Sequence, residues 1–118
     1  MSDGETMNDV QLACFDIIAH VGEAKSCYME ALRAARAGEF DRVGELMERG
    51  SELFVEGHNT HMALIQRDAE SGDVPSSLML MHAEAQLMDG ESCKTYVKEF
   101  IEVYRELHAL RPLMRGCT

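Results

Sequence analysis

Val10, Cys14, Ile17, Val21, Ala24, Tyr28, Ala31 and Ala35 follow one another at alternating steps of four and three residues. Only a helix brings such residues to one face, and the run lasts about seven turns. A strand would scatter them over both of its sides. The spacing predicts a helix over about 8–37, with Asn8 or Asp9 as its cap and Gly38 as its stop. Leu12, Phe15, Ala19, Met29 and Leu32 add a second apolar strip. A lone surface helix needs less apolar width, so burial on two sides, as in an oligomer, is expected.

The same periodicity returns twice. Val43, Met47, Gly50, Phe54, Gly57, His61, Leu64 and Asp68 form a stripe over about 40–71. Gly50 and Gly57 weaken that helix unless another helix approaches them closely. "SGDVP" at Ser71–Pro75 ends it and leads to the next. A third helix is expected over about 76–110. Leu78, Met81, Ala85 and Met88 share a face, and Tyr96, Phe100, Val103, Leu107 and Leu110 extend the pattern. "DGES" at Asp89–Ser92 reads as a short break or as a glycine tolerated within one long helix. Pro112 and Gly116 mark the end. With only two prolines and few β-branched runs, the chain reads as all-α. One domain spanning 1–118, an antiparallel up-down-up three-helix bundle, is the expected architecture.

Charge excludes several roles. A formal charge of −10 is unsuited to nucleic acid or to an anionic membrane surface, and no basic cluster offsets it. A basic protein partner would suit it better. No stretch approaches a membrane span, and "MSDGETMNDV" is not a signal peptide. The four cysteines fit neither a close pair nor a zinc set. Reduced thiols in a cytoplasmic protein are expected: Cys14, Cys27 and Cys93 as packing residues, Cys117 in the tail.

His82 sits in "LMLMHAEAQLM" and shares a helical face with Met79, Gln86 and Asp89. A neutral imidazole is a competent nucleophile near pH 7. On spacing alone, a structural histidine is the weightier reading. Glu84 lies two residues on and points elsewhere, which leaves Gln86 as the better neighbour. His58 and His61 could supply two metal ligands, but no third is spaced to join them. His20 and His108 have no supporting pattern. Phosphate loop, GxSxG and HExxH motifs are absent from the sequence. If the chain handles phosphate, it receives a group already activated.

Three stretches carry a family resemblance: "FDIIAHVGEAKSCYMEALRAARAGEFDRVGELM", "EGHNTHMALIQRDAESG" and "VPSSLMLMHAEAQLM". In order and spacing they resemble the IIA component of the lactose/cellobiose (N,N'-diacetylchitobiose) class of the bacterial phosphotransferase system, over about 10–108. The resemblance implies a cytoplasmic phosphotransferase component with a phosphohistidine intermediate. By it, His82 accepts a phosphoryl group from the carrier protein HPr and passes it to a cysteine of the IIB component. The IIC membrane component then moves a β-linked disaccharide. The second ring nitrogen of His82 should be held by a hydrogen bond. Gln86 becomes a phosphate neighbour, with His58 or Asn59 reaching the same cleft from adjacent subunits.

The resemblance also implies a homotrimer. In the family an aspartate after "H-A-(Q/E)" commonly binds one metal ion on the threefold axis. Ala85 occupies that position here, so no metal and no other cofactor is expected, and the axis should be apolar. His61 stands where the family often has glutamine, and Cys14 where a small glycine is common. Two rivals stand beside this reading. A non-catalytic helical adaptor or regulator could keep the same scaffold. A two-component histidine phosphotransfer module would place lysine and glycine three and four residues after the histidine, where this chain has Ala85 and Gln86.

Overall fold

The computed structural model describes residues 3–116, and the side chains of residues 9–113. Three helices follow in order: α1 (Asp3–Ala37), α2 (Phe40–Ser71) and α3 (Leu78–Gly116). α1 is the central element. It packs along both other helices, while α2 and α3 meet each other far less.

The first stripe explains this arrangement. All eight of its residues are buried, and Cys14, Ile17, Val21, Ala24, Tyr28, Ala31 and Ala35 are fully so. Val43, Gly50, Gly57 and Leu64 meet them from α2; Ala83, Leu87, Val97 and Ile101 meet them from α3. The glycines permit a close approach. A β-carbon at Gly50 would lie 2.6 Å from Tyr28 Cε1, and one at Gly90 would lie 2.6 Å from Val21 Cγ1. Both contacts are far inside van der Waals range, so helix propensity is surrendered for interhelical contact. α3 runs unbroken through Gly90.

Helix ends depart from the sequence reading in three places. α1 begins at Asp3, so Asn8 and Asp9 lie inside the helix and do not cap it. α3 begins at Leu78 rather than about 76, because the Ser77 hydroxyl accepts the Leu80 amide at 3.0 Å and so caps the helix. It also runs past 110 to Gly116 with the exposed Pro112 inside. The hydrogen bond that Pro112 forfeits falls near the helix end. The other boundaries agree with expectation. Gly38 adopts φ +83°, with Gly38 N donating to Ala35 O and Glu39 N to Ala34 O, a Schellman closure. Cys117 lies outside the described residues.

The second apolar strip of α1 is largely not buried within the protomer: Leu12, Phe15 and Met29 are exposed. The stripe read on α3 also faces outward, with Leu78 84%, Met81 65% and Met88 68% exposed. The core face of α3 is instead Ala83, Leu87, Val97 and Ile101. Two apolar faces on one helix made the inward one hard to choose from spacing. Among the described residues, no helix is long and apolar enough to cross a membrane.

Candidate phosphoacceptor site

The site begins with the loop that delivers α3. Gly72, at φ +63°, closes α2 by donating its amide to Asp68 O. Arg67 then grips Asp73 through two hydrogen bonds of 3.1 and 3.3 Å, and Ser71 Oγ donates to the same carboxylate at 2.7 Å. These bonds hold the Asp73 carboxyl below its usual pKa, the Arg67 guanidinium first among the causes. Ser77 caps α3, and His82 is its fifth residue.

At about 100° per residue, α3 divides into flanks around its core line at Ala83, Leu87 and Gly90. Glu84 falls about 100° to one side, toward α2. Its carboxylate accepts a hydrogen bond from His61 Nε2 at 2.9 Å. His82 falls about 100° to the other side, away from α2, and is exposed. Gln86 and Asp89 share that flank. Asp89 pairs with Lys25 of α1. Gln86, half-buried, lines an open groove with Gly22, Lys25, Ser26, Met29, Glu30 and Arg33 of α1. Ala85 points almost directly outward, between Met81 and Met88.

Gln86 does stand one turn from His82, on its flank. His58 and Asn59 are exposed on α2, the helix that faces the opposite flank of α3. One protomer therefore does not bring them to His82. His58 instead stacks on Phe54, with ring centroids 6.4 Å apart. Within the described residues neither ring nitrogen of His82 has an intrachain hydrogen-bond partner, so one protomer does not itself supply the expected orienting bond. The acidic residues nearest in sequence are engaged elsewhere: Glu84 with His61, Asp89 with Lys25.

At the position where the resemblance would place a metal-binding aspartate, Ala85 offers only a methyl group, which cannot ligate an ion. Within one protomer no group of three His, Cys, Asp or Glu gathers among the described residues. His58 and His61 do not act as a ligand pair, since His61 is turned to Glu84 and His58 to Phe54.

Two polar clusters escaped the sequence reading. His20 Nε2 lies 2.9 Å from Glu56 Oε2 as an ion pair, while its other nitrogen meets Asp16, both the carbonyl at 2.9 Å and Oδ1 at 3.1 Å. Thr60 closes the network on Asp16 at 2.6 Å. The Asp16 carbonyl bond raises the His20 pKa most; burial, next in size, opposes it, and the carboxylates of Asp16, Glu56 and Glu23 add to the rise. At the far end His108 bonds the Arg36 carbonyl at 3.1 Å and packs edge-on against Phe40. Such cross-helix partners leave no mark in local spacing. Cys14 and Cys93 have thiol pKa values pushed up chiefly by burial, which suits packing rather than reactivity.

His82 is thus an exposed histidine near the start of a capped helix, among methionines and without an intrachain hydrogen-bond partner within the described residues. Known proteins show the family to which the chain belongs. The sequence profile of the phosphotransferase-system (PTS) lactose/cellobiose-specific IIA subunit matches residues 12–105. The chain is 36% identical over 97 residues to the lactose-specific EIIA component of Streptococcus mutans, covering 82% of this chain and 93% of that protein. It is 33% identical over 99 residues to the oligo-β-mannoside-specific EIIA component of Bacillus subtilis, covering 84% and 89%. The crystal structure of the cellobiose-specific enzyme IIA from Bacillus anthracis superposes with a TM-score of 0.82 at 33% identity, covering 85% of this chain and 92% of that one. The chain belongs to the lactose/cellobiose-specific IIA family of the phosphotransferase system. It is a phosphocarrier of sugar uptake working through a phosphohistidine relay.

Proposed function

We propose that His82 is the residue phosphorylated in this chain. The observation that carries the reading is its exposure on the flank of α3 opposite α2, with both ring nitrogens free of intrachain partners. A lone pair of the ring attacks phosphorus of phospho-HPr. The new N–P bond forms as the donor's N–P bond breaks and its electron pair returns to the donor imidazole. A IIB cysteine thiolate then attacks the same phosphorus, and the N–P bond to His82 breaks. Two phosphoramidates differ little in energy, so alignment and exclusion of water are the main demands on the protein. His82 projects toward the α3 N-terminus, where the helix dipole favours a phosphoryl anion. The sugar is a β-linked disaccharide such as lactose, cellobiose or N,N'-diacetylchitobiose, moved by the IIC component.

The working form is a homotrimer built on the outward stripe of α3. Leu78, Met81, Ala85 and Met88 present an apolar strip at coiled-coil spacing, and water-exposed strips of this length favour association. Ala85 on the axis makes the assembly independent of a metal ion. Adjacent protomers bring His58 or Asn59 toward the His82 flank, and Gln86 steadies the phosphoryl oxygens from within.

Intact mass under non-acidic conditions tests the reading. With phosphoenolpyruvate, enzyme I and HPr, the native chain should gain one phosphoryl group and His82→Ala none. The phosphorylated chain should then discharge to IIB. An unmodified native chain beside an active HPr control would sink the carrier role of His82 and leave an adaptor on the same bundle.

A further inference from the structure

The one hydrogen bond joining α2 to α3 among the described residues is that of His61 with Glu84, at 2.9 Å. Its setting is half-sheltered: the side chain of His61 is 15% exposed and that of Glu84 46%. Beside it the two helices are separated by an open depression of about 220 Å³, lined in part by Leu64, Val74 and Leu80. Cys14 lies beneath, close enough for Glu84 to raise its pKa further after burial. The first turns of α3 are therefore held chiefly on α1 by Ala83 and Leu87, with Leu64 of α2 in the same apolar cluster; Ser77 caps them, and this pair is their polar tie to α2 among the described residues.

A helix gripped along one line can roll about its own axis. Roll is what aims His82, because His82 and Glu84 project from opposite flanks, about 200° apart. A bond on the Glu84 flank fixes the roll angle and thereby the direction of the imidazole on the other. In-line transfer is sensitive to such angles, since a small misplacement of the attacking atom removes much of the advantage of proximity. We propose that His61 and Glu84 are positioning residues for phosphotransfer: a clamp between α2 and α3 that sets the orientation of His82 without touching it. The inference rests on His82 being the phosphoacceptor.

Four proteins test it: the native chain, His61→Ala, Glu84→Ala, and the double variant His61→Gln with Glu84→Gln, whose amides can still bond across the gap. Three quantities are read: single-turnover phosphorylation from phospho-HPr across donor concentrations, amide exchange over residues 78–88, and the thermal midpoint. Each alanine variant should lose roughly tenfold in maximal rate at an unchanged half-saturating donor concentration. Exchange over 78–88 should accelerate while the rest of α3 and the thermal midpoint stay near native. The Gln pair should recover most of the rate. Native rates in both alanine variants would overturn the clamp. So would a rate loss that merely tracks a lowered midpoint and is not rescued by the Gln pair. If the native chain itself takes no phosphate, the carrier reading fails. Amide exchange then judges the clamp alone, and unchanged protection over 78–88 in the alanine variants would overturn it.

Discussion

At Gly50 and Gly90 the chain has no room for a methyl group. The Gly50 position lies against the Tyr28 ring and 3.2 Å from the Ala24 carbonyl oxygen, and the Gly90 position against Val21. Gly90→Ala should destabilise the bundle by about 1–3 kcal/mol, measured by chemical denaturation. Gly44 is also helical, but a β-carbon there would meet nothing within 4 Å. Gly44→Ala should stabilise by roughly 0.5–1 kcal/mol. Tyr28 gives a third test. Its buried hydroxyl lacks a hydrogen-bond partner, and burial raises its pKa more than nearby Ser51 lowers it. Tyr28→Phe should be neutral or gain up to about 1 kcal/mol. At this scale helical spacing put His82 and Gln86 on one face, and the family resemblance, not the spacing, singled them out. The sequence could not pair His61 with Glu84, which are 23 positions apart. Only packing chose which flank of α3 turned toward α2.

At the scale of elements, the helices are joined by few polar ties, and each has a testable consequence. His20 links α1 to α2 through Asp16 and Glu56, with Glu23 adding to the field around it. Its pKa is raised above 6.5 in the folded chain. The stabilisation is therefore complete below the unfolded pKa and is lost as pH rises through the folded one. Native protein should exceed His20→Gln in stability by more at pH 6 than at pH 9 in paired denaturation curves. Ser77→Ala removes the cap of α3 and should cost about 1 kcal/mol, with faster amide exchange at Leu78–Met81. Helix number and order were legible because apolar spacing and the stops at Gly38 and Gly72 are local signals. The start of α1 was not, since Asp3–Asn8 lie outside the apolar repeat. The start of α3 depended on a serine two residues past a proline, and either Ser76 or Ser77 could have served.

The whole protomer is a rod of 74 × 20 × 17 Å with a radius of gyration of 19.3 Å. A compact chain of this length would have a radius of about 13–14 Å. Such a shape leaves long apolar stripes in water, and the proposed trimer would cover the one on α3. Sedimentation should give a trimer whose mass is unchanged by a chelator. Ala85→Asp would set three carboxylates face to face. That variant should dissociate in chelator and reassemble with a divalent cation, whereas a native chain that dissociates in chelator would contradict the apolar axis. By itself the sequence determined the helices and their order, because both are written in spacings of three and four residues; His82 was marked out by the family resemblance of the stretches around it, not by spacing. Tertiary structure decided which apolar face of α3 lies inward, that Glu84 reaches His61, and that His82 stands free on the opposite flank. Those outcomes depend on the roll of each helix against its neighbours, which is set by close packing at Gly50, Gly57 and Gly90 rather than by any local pattern.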